Sequence, residues 1–346
     1  MVQNKGLIFR AIPDGLPVPG KDIVVETRDF DLGQAPPVGG VTTKNLYASF
    51  DPYQRGKMRD AKIKSYAPAY EIGEIVSSGS IMKILKSDNE KFKEGDIVTG
   101  NNGYEEYSSI KKEIADGLRL VVNPYNLDPK VFLGPLGMPG LTAYSSLYEI
   151  GKPQQGETIF ISAASGAVGQ LVGQLAKHEG LRVIGSVGSD EKLDYIIKEL
   201  KFDGGFNYKT EKPADALARL APDGIDIYYE NARVQLEAAL EAMNDFGRIV
   251  ACGMVSEYNK ATQDRYGIKN LINIVGKRIT FRGFIVGDKD LGPKYYHEWA
   301  ENVSKWLHEG TFKAKESVTD GIDNSGEGFV GMLQGKNFGK AILNLT

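Results

Sequence analysis

The chain has 346 residues and a formal net charge of −3, enough length for two hydrophobic cores and no electrostatic case for nucleic acid or an anionic membrane as a partner. Cys252 is the only cysteine, which excludes an intrachain disulfide and a thiolate metal cluster. No apolar run approaches membrane length, and the first residues, MVQNKGLIFRAI, lack the apolar segment of a signal peptide, so a cytoplasmic protein is expected.

Residues 1–125 read as short β segments divided by turns. The clearest are Gly6–Arg10, Asp22–Glu26, Thr43–Ser49 and Ala69–Val76, with turn-like Pro13-Asp-Gly-Leu-Pro17 and Ala35-Pro-Pro-Val-Gly-Gly40 between them. Lys93–Val98 and Tyr104–Ile110 follow, as a hairpin or as two successive sheet edges. Such a pattern implies a small, strongly bent β domain. Asp51-Pro-Tyr-Gln-Arg-Gly56 interrupts it directly after a strand. Two readings stay open there: a rigid turn, or a turn from which Tyr53 points its hydroxyl into a cleft, where a phenol stabilises a developing oxyanion.

Leu136–Tyr144 leads into a helical stretch ending near Ile150, broken by Gly151-Lys-Pro-Gln-Gln-Gly156. Beyond the break, strands are predicted at 158–163, 181–186, 205–208, 224–230, 247–253 and 278–286, and helices at 167–178, 190–200, 213–220, 233–244 and 265–275. This alternation implies a parallel sheet with right-handed crossovers and helices on both faces. Pro293–Gly310 has the periodicity of a long helix with a glycine stop, Gly328–Leu333 reads as helical, and Gly339–Leu345 as a strand returning to the first domain. The domains expected are therefore 1–130 with 311–346, and 131–310. His178, His297 and His308 fall in or beside helical segments far apart in sequence and read as surface or helix-end residues rather than zinc ligands.

The stretch Glu157–Lys177 passes from an apolar strand through Ser165-Gly166 into a helix. A turn of small residues at that junction presents amide hydrogens, and the helix N-terminus adds favourable electrostatics, for a dinucleotide pyrophosphate. The fingerprint is a variant of G-x-G-x-x-G, with Ala164 in place of the first glycine, then Gly166 and Gly169; Gly173, one turn on, is expected to let the helix pack closely on the sheet. About 20 residues beyond the glycines an NAD site carries an acid for the ribose hydroxyls. Here the second strand ends in Gly185-Ser186 and runs on through Ser189-Asp-Glu-Lys192. Hydroxyls and a nearby ammonium favour a ribose phosphate, so NADP(H) is the expected cofactor. Lys192 also reads as an ordinary exposed helical lysine, and Asp190 and Glu191 lower the local potential unless they cap the helix. Tyr208, at the third strand's end, is placed to flank the phosphate or the adenine.

The chain resembles the zinc-independent branch of the medium-chain dehydrogenase/reductase superfamily that contains prostaglandin reductases, leukotriene B4 dehydrogenases and alkenal double-bond reductases. Ser49–Gly56, Leu136–Tyr144, Ser162–Gln174, Phe206–Lys209, Tyr229–Asn231, Cys252–Asn259 and Asn337–Ala341 carry the resemblance, in order, over almost the whole chain. It implies an α/β protein in which a Rossmann-type parallel sheet domain accompanies a bent GroES-like β-barrel substrate domain, with the active site in the crevice between them. It further implies that Lys192 and Tyr208, with Ser189, contact the 2′-phosphate, and that Ala164, Gly166, Ala167, Val168 and Gly169 surround the pyrophosphate. Asn231, Cys252, Met254, Ser256 and Tyr258 would lie along the nicotinamide and its ribose, Phe284 and Val286 would approach from the next strand, and Asn337 would reach the cofactor from the C-terminal segment. Family members are commonly homodimers. Where the family more often has Met, position 54 is Gln.

The activity implied is NADPH-dependent reduction of the carbon–carbon double bond of an α,β-unsaturated aldehyde or ketone, without a metal: hydride reaches the β carbon, an enolate develops, and water or a tyrosine protonates the α carbon. Tyr53 is the first candidate for orienting or polarising the carbonyl, and Tyr258 the second, chiefly for holding the nicotinamide ribose. A neutral phenol is a donor rather than a general base. Cys252, at the end of an apolar strand, has no nucleophilic task in such a reaction. The alternatives are a quinone reductase, a zinc-independent allylic or secondary alcohol dehydrogenase, and a catalytically silent NADPH-binding protein.

Overall fold

A computed structural model describes residues 1–346, and contacts within the chain divide it into two compact units, Met1–Leu133 with Glu316–Thr346, and Gly134–Lys315. These change over at 133/134 and 315/316, against sequence-based boundaries of 130/131 and 310/311. No helix is long and apolar enough to cross a membrane.

The first unit opens with β1 (Val2–Phe9) and β2 (Ile23–Phe30), an antiparallel pair, followed by β3 (Val41–Ser49), the short helix α1 (Tyr53–Lys57) and β4 (Ser77–Ser87). Next come β5 (Ile97–Gly103), β6 (Tyr107–Ile110), α2 (Lys112–Ala115) and β7 (Arg119–Leu120). Two expectations fail here. Ala69–Val76 is not a strand: the Ile72-Gly73 turn, with Gly73 at φ +96°, breaks it, although the Val76 amide still donates to the Leu7 carbonyl at 2.8 Å. The real strand starts at Ser77. Nor do the two segments around Asn101 form a hairpin, because β5 pairs with β4 and β7 whereas β6 crosses to pair with β3.

The second unit contains α3 (Met138–Ser146), β8 (Thr158–Ile161), α4 (Gly169–His178), β9 (Arg182–Val187), α5 (Asp190–Asp194), β10 (Gly204–Asn207) and α6 (Pro213–Leu220). It continues with β11 (Ile225–Glu230), α7 (Leu236–Ala242), β12 (Met243–Ala251), α8 (Ile272–Gly276), β13 (Thr280–Gly283) and α9 (Gly292–His308). Its six strands lie in the order β10-β9-β8-β11-β12-β13, with every neighbouring pair parallel. The strand order reverses at β8/β11, and ligands of such sheets bind outside the carboxyl ends of the strands at that point. Phe160, Ile184, Phe206, Tyr228 and Ile249 fill one core, where the Phe160 ring stacks on Tyr228 at 5.1 Å between centroids. The helix predicted over 265–275 shrinks to Ile272–Gly276. Side chains satisfy the backbone before it: Glu257 accepts from the Tyr266 amide at 3.0 Å and Glu237 from the Lys269 amide at 2.6 Å.

The chain then returns to the first unit as β14 (Glu316–Asp320), α10 (Ser325–Leu333) and β15 (Lys340–Asn344). β15 lies between β14, to which it is parallel, and β3, to which it is antiparallel, completing a seven-stranded sheet. Leu7, Phe9, Phe50, Tyr104, Phe329 and Leu343 form the largest core of this unit.

Gly173 shows how tightly the second unit is packed. A Cβ there would lie 1.9 Å from the Phe202 ring, so its close neighbour is this aromatic side chain rather than the sheet. Gly173→Ala is expected to cost about 1–3 kcal/mol of stability through overpacking, measured by denaturant unfolding; an unchanged midpoint would contradict that packing.

Candidate active site

The strand-to-helix turn after β8 is built by close backbone approach. Ala163 takes the left-handed conformation at φ +49°, so the strained residue of the variant fingerprint precedes Ala164 rather than being Ala164 itself. Ala164 is fully buried, its amide donates to the Ser186 carbonyl at 2.9 Å, and its methyl lies over Gly185, where an added Cβ would approach it to 2.7 Å. An alanine is accommodated at the first fingerprint position because a glycine faces it. A Cβ at Gly169 would lie 2.4 Å from the Ala163 carbonyl oxygen, and one at Gly166 3.1 Å from the same atom. Ala167 and Val168 complete the turn, and α4 begins without a side-chain cap. The Gln170 and Leu171 amides bond back to the Gly166 and Val168 carbonyls at 3.1 and 3.0 Å, and the positive end of the helix still suits a pyrophosphate.

The end of β9 carries the second feature. Ser186 is buried and donates to Gln235 Oε1 at 2.5 Å, so its hydroxyl is committed inside the unit. Ser189 caps α5, accepting from the Lys192 amide at 3.3 Å. Lys192 is half-buried, and its ammonium is held below the usual lysine range, first by burial and then by the neighbouring Lys209. A Cβ at Gly188 would lie 3.2 Å from the Tyr208 hydroxyl and 3.5 Å from Lys209 Cε. Tyr208 and Lys209 therefore lie beside Gly188, which directly precedes Ser189, and Lys209 is near enough to Lys192 to act on its charge. Two cations drawn together this way favour an anion between them. Asp190 accepts from Asn207 Nδ2 at 2.8 Å. Lys209 was missed as a site residue by the sequence reading, although its position beside Tyr208 after the third strand was a usable signal.

At the ends of β11 and β12 the expected nicotinamide-side residues form one hydrogen-bonded group. The Asn231 amide donates to Ser162 Oγ and its side chain to the Ser162 carbonyl, both at 2.8 Å; the Val255 amide donates to the Asn231 carbonyl at 3.0 Å. Ser256 donates to the Ala232 carbonyl, and the Tyr258 hydroxyl accepts from the Met254 amide at 3.3 Å. With that bond made, the Tyr258 proton is directed elsewhere. Glu230, wholly buried beneath the turn, accepts from the Ala232 and Arg233 amides at 2.6 and 2.8 Å, and burial raises its carboxyl above the usual range. Phe284 and Val286 follow β13, where the Val286 carbonyl accepts from the Gly292 amide at 2.9 Å at the start of α9. Asn337 belongs to the first unit, and its side chain donates to the Gly339 carbonyl at 2.7 Å.

Burial pushes the Cys252 thiol up to about 12. At pH 8 only about one thiol in ten thousand would then be ionised, and the thiolate is the reactive form. The native protein is expected to resist iodoacetamide at pH 8 under conditions that label the denatured chain fully. Rapid stoichiometric labelling of the native protein would contradict this assignment.

In the first unit Tyr53 stands at the head of a buried polar chain. Its hydroxyl lies 3.1 Å from Ser78 Oγ, Ser78 donates to Asp51 Oδ2 at 3.2 Å, and Lys340 Nζ donates to Asp51 Oδ1 at 2.8 Å. Ser49 also donates to Asp51 Oδ2, at 2.5 Å. Burial, then the Asp51 charge, raises Tyr53 well above the usual phenol range, so it is a neutral phenol at any physiological pH. Gln54 is fully buried: its Oε1 accepts from the Asp51 amide at 2.8 Å and from Tyr104 at 3.0 Å, and its Nε2 donates to Tyr70 at 3.1 Å. Methionine cannot make these three bonds, so the departure at position 54 is matched by local hydrogen bonding. Asp51 and Lys340 were not legible as site residues, because 289 positions separate them.

Comparison with known proteins agrees with this geometry. Residues 5–117 match the family described as the N-terminal domain of oxidoreductase, and 167–309 match zinc-binding dehydrogenase. The zinc of that description has no ligand set here: no group of three or more His, Cys, Asp or Glu comes together to hold an ion. The chain is 53% identical over its full length to an NADP-dependent oxidoreductase of Cochliobolus heterostrophus, covering 99% of that protein. It is 39% identical over its full length to the 2-alkenal reductase (NADP(+)-dependent) of Nicotiana tabacum, covering 98% of it. The crystal structure of CurA from Vibrio vulnificus in complex with NADPH matches with a TM-score of 0.89 at 33% identity, over 98% of each chain. The Gly169 cradle and the Lys192–Lys209 pair fit NADP(H), and the chain belongs to the zinc-independent branch of the medium-chain dehydrogenase/reductase superfamily as an NADP(H)-dependent oxidoreductase.

Proposed function

We propose that this enzyme reduces the carbon–carbon double bond of α,β-unsaturated aldehydes and ketones. The observation that carries the reading is the full-length likeness to a 2-alkenal reductase, joined to a site that offers hydroxyl groups and no ion-holding cluster. Bound NADPH supplies the hydride. The protein's task is to hold the carbonyl where negative charge grows, because donors aimed at the developing enolate lower the barrier. Tyr258, anchored through the Met254 amide, supplies a hydroxyl there or to the nicotinamide ribose, and Tyr53 orients the substrate. Ala164, Gly166, Ala167, Val168 and Gly169 cradle the pyrophosphate; Ser189, Lys192, Tyr208 and Lys209 hold the 2′-phosphate. Asn231, Cys252, Met254, Ser256, Phe284, Val286 and Asn337 are assigned to the remaining cofactor contacts.

A homodimer fits the edge position of β13 in its sheet and the exposure of Ile272, Val275 and Ile285 near it, since an exposed sheet edge with apolar neighbours is a template for pairing. Light scattering on the purified protein decides this. For the activity, NADPH consumption with a short 2-alkenal, an aryl enone and a quinone, with products identified by mass, is expected to give saturated carbonyl compounds from the first two. Turnover of the quinone alone would replace this reading with quinone reduction. An allylic alcohol from the enal would replace it with carbonyl reduction.

A further inference from the structure

The chain of hydrogen bonds behind Tyr53 has a direction. Lys340 is an ammonium and donates to Asp51 Oδ1 at 2.8 Å and to the Phe50 carbonyl at 2.5 Å. A carboxylate paired with an ammonium only accepts. Ser49 and Ser78 therefore both donate to Asp51 Oδ2, at 2.5 and 3.2 Å. A serine has one proton, so Ser78 Oγ meets the Tyr53 oxygen as an acceptor, and Tyr53 must be the donor across their 3.1 Å contact. The opposite arrangement would set Ser78 and Asp51 lone pairs against each other in a fully buried place, since Ser78 is 0% and Asp51 4% exposed. A bond to a charged carboxylate is also roughly twice as strong as one to a neutral phenol.

We propose that the Lys340–Asp51 pair, acting through Ser78, turns the Tyr53 proton inward, so that Tyr53 meets the substrate as a hydrogen-bond acceptor and favours unsaturated carbonyl compounds that carry a hydroxyl group. Ser78, Asp51 and Lys340 are positioning residues in this arrangement, and Tyr53 is the group that touches substrate. The substrate preference rests on the double-bond reduction proposed above; the direction of the Tyr53 bond does not. Polarisation of the carbonyl then falls to a different hydroxyl, such as Tyr258.

Two measurements test this. In protein carrying protonated tyrosines and serines in a deuterated background, the Tyr53 hydroxyl proton is expected as a slowly exchanging signal with a cross-peak to Ser78 Hβ. It should vanish in Tyr53→Phe and Ser78→Ala and persist in Ser78→Thr, with the buried Tyr104 hydroxyl as internal reference. Its absence from folded wild-type protein that shows the Tyr104 signal would overturn the proposal. In turnover, kcat/KM for a 4-hydroxyphenyl enone relative to its methyl ether is expected to fall at least tenfold in Ser78→Ala, where the Tyr53 proton is released to face outward, and to recover in Ser78→Thr. Tyr53→Phe should abolish the preference as well. A ratio that Ser78→Ala leaves unmoved would also overturn the proposal. Failure of the wild type to reduce either enone while the slow Tyr53 signal is present would overturn the substrate preference together with the double-bond reading, and leave the inward bond standing.

Discussion

Replacing Lys340 with methionine is expected to destabilise the protein by about 3–5 kcal/mol, the cost of leaving one partner of a buried ion pair uncompensated. Lys340 is 1% exposed, and its ammonium is the only cation bonded to Asp51. Methionine has nearly the same reach but returns neither the bond to Asp51 nor the one to the Phe50 carbonyl. The double variant Lys340→Met with Asp51→Asn removes the orphaned charge while keeping a side chain that can accept from Ser49 and Ser78. It should regain at least half of the lost stability, because the penalty belongs to the unpaired charge more than to the missing attraction. Denaturant unfolding of the four proteins of this cycle gives the coupling directly. A Lys340→Met loss below about 1 kcal/mol, the worth of a solvated surface pair, would show that the pair is not buried as described.

Lys192→Ala is expected to raise the KM for NADPH about 10–100-fold while changing the KM for NADH far less. The figure follows from the roughly 1.5–3 kcal/mol of a hydrogen bond to a charged group, with each 1.4 kcal/mol worth about tenfold. Lys192 is held below its usual range by burial and by Lys209, and a phosphate dianion between the two relieves that repulsion. Lys209→Ala should act in the same direction, and the double variant should come near to losing the discrimination between the two cofactors. Equal loss for NADPH and NADH in Lys192→Ala would move the lysine away from the 2′-phosphate and onto the shared part of the dinucleotide.

The Rossmann half of the molecule was legible because each of its signals is local. Pro213–Leu220 begins with proline at its first position and keeps a clean helical period, and it forms as predicted. The parallel strands β8, β9 and β11 each carry consecutive apolar residues that are buried on both faces, the usual pattern of such sheets. Failures occur where backbone bonds go to distant side chains. Arg265–Leu271 has a helix-like pattern, yet Glu237 and Glu257 satisfy its amides, and only the last turn is helical. β14 was missed because Glu-Ser-Val-Thr-Asp carries little apolar signal, and its order comes from pairing with β15. In the site, glycine spacing and the missing acid after β9 pointed to the cofactor. The polarity of Tyr53 was invisible, because it depends on a lysine brought to Asp51 by the return of the last strand.

Hydride transfer to the β carbon of a conjugated double bond is the step on which the proposed activity depends. NADPH deuterated at the transferring position of its nicotinamide, incubated with a 2-alkenal, tests it in one NMR spectrum. The expected product is a saturated aldehyde with deuterium on the β carbon and a solvent-derived proton on the α carbon. Deuterium on the former carbonyl carbon, in an allylic alcohol, would contradict it.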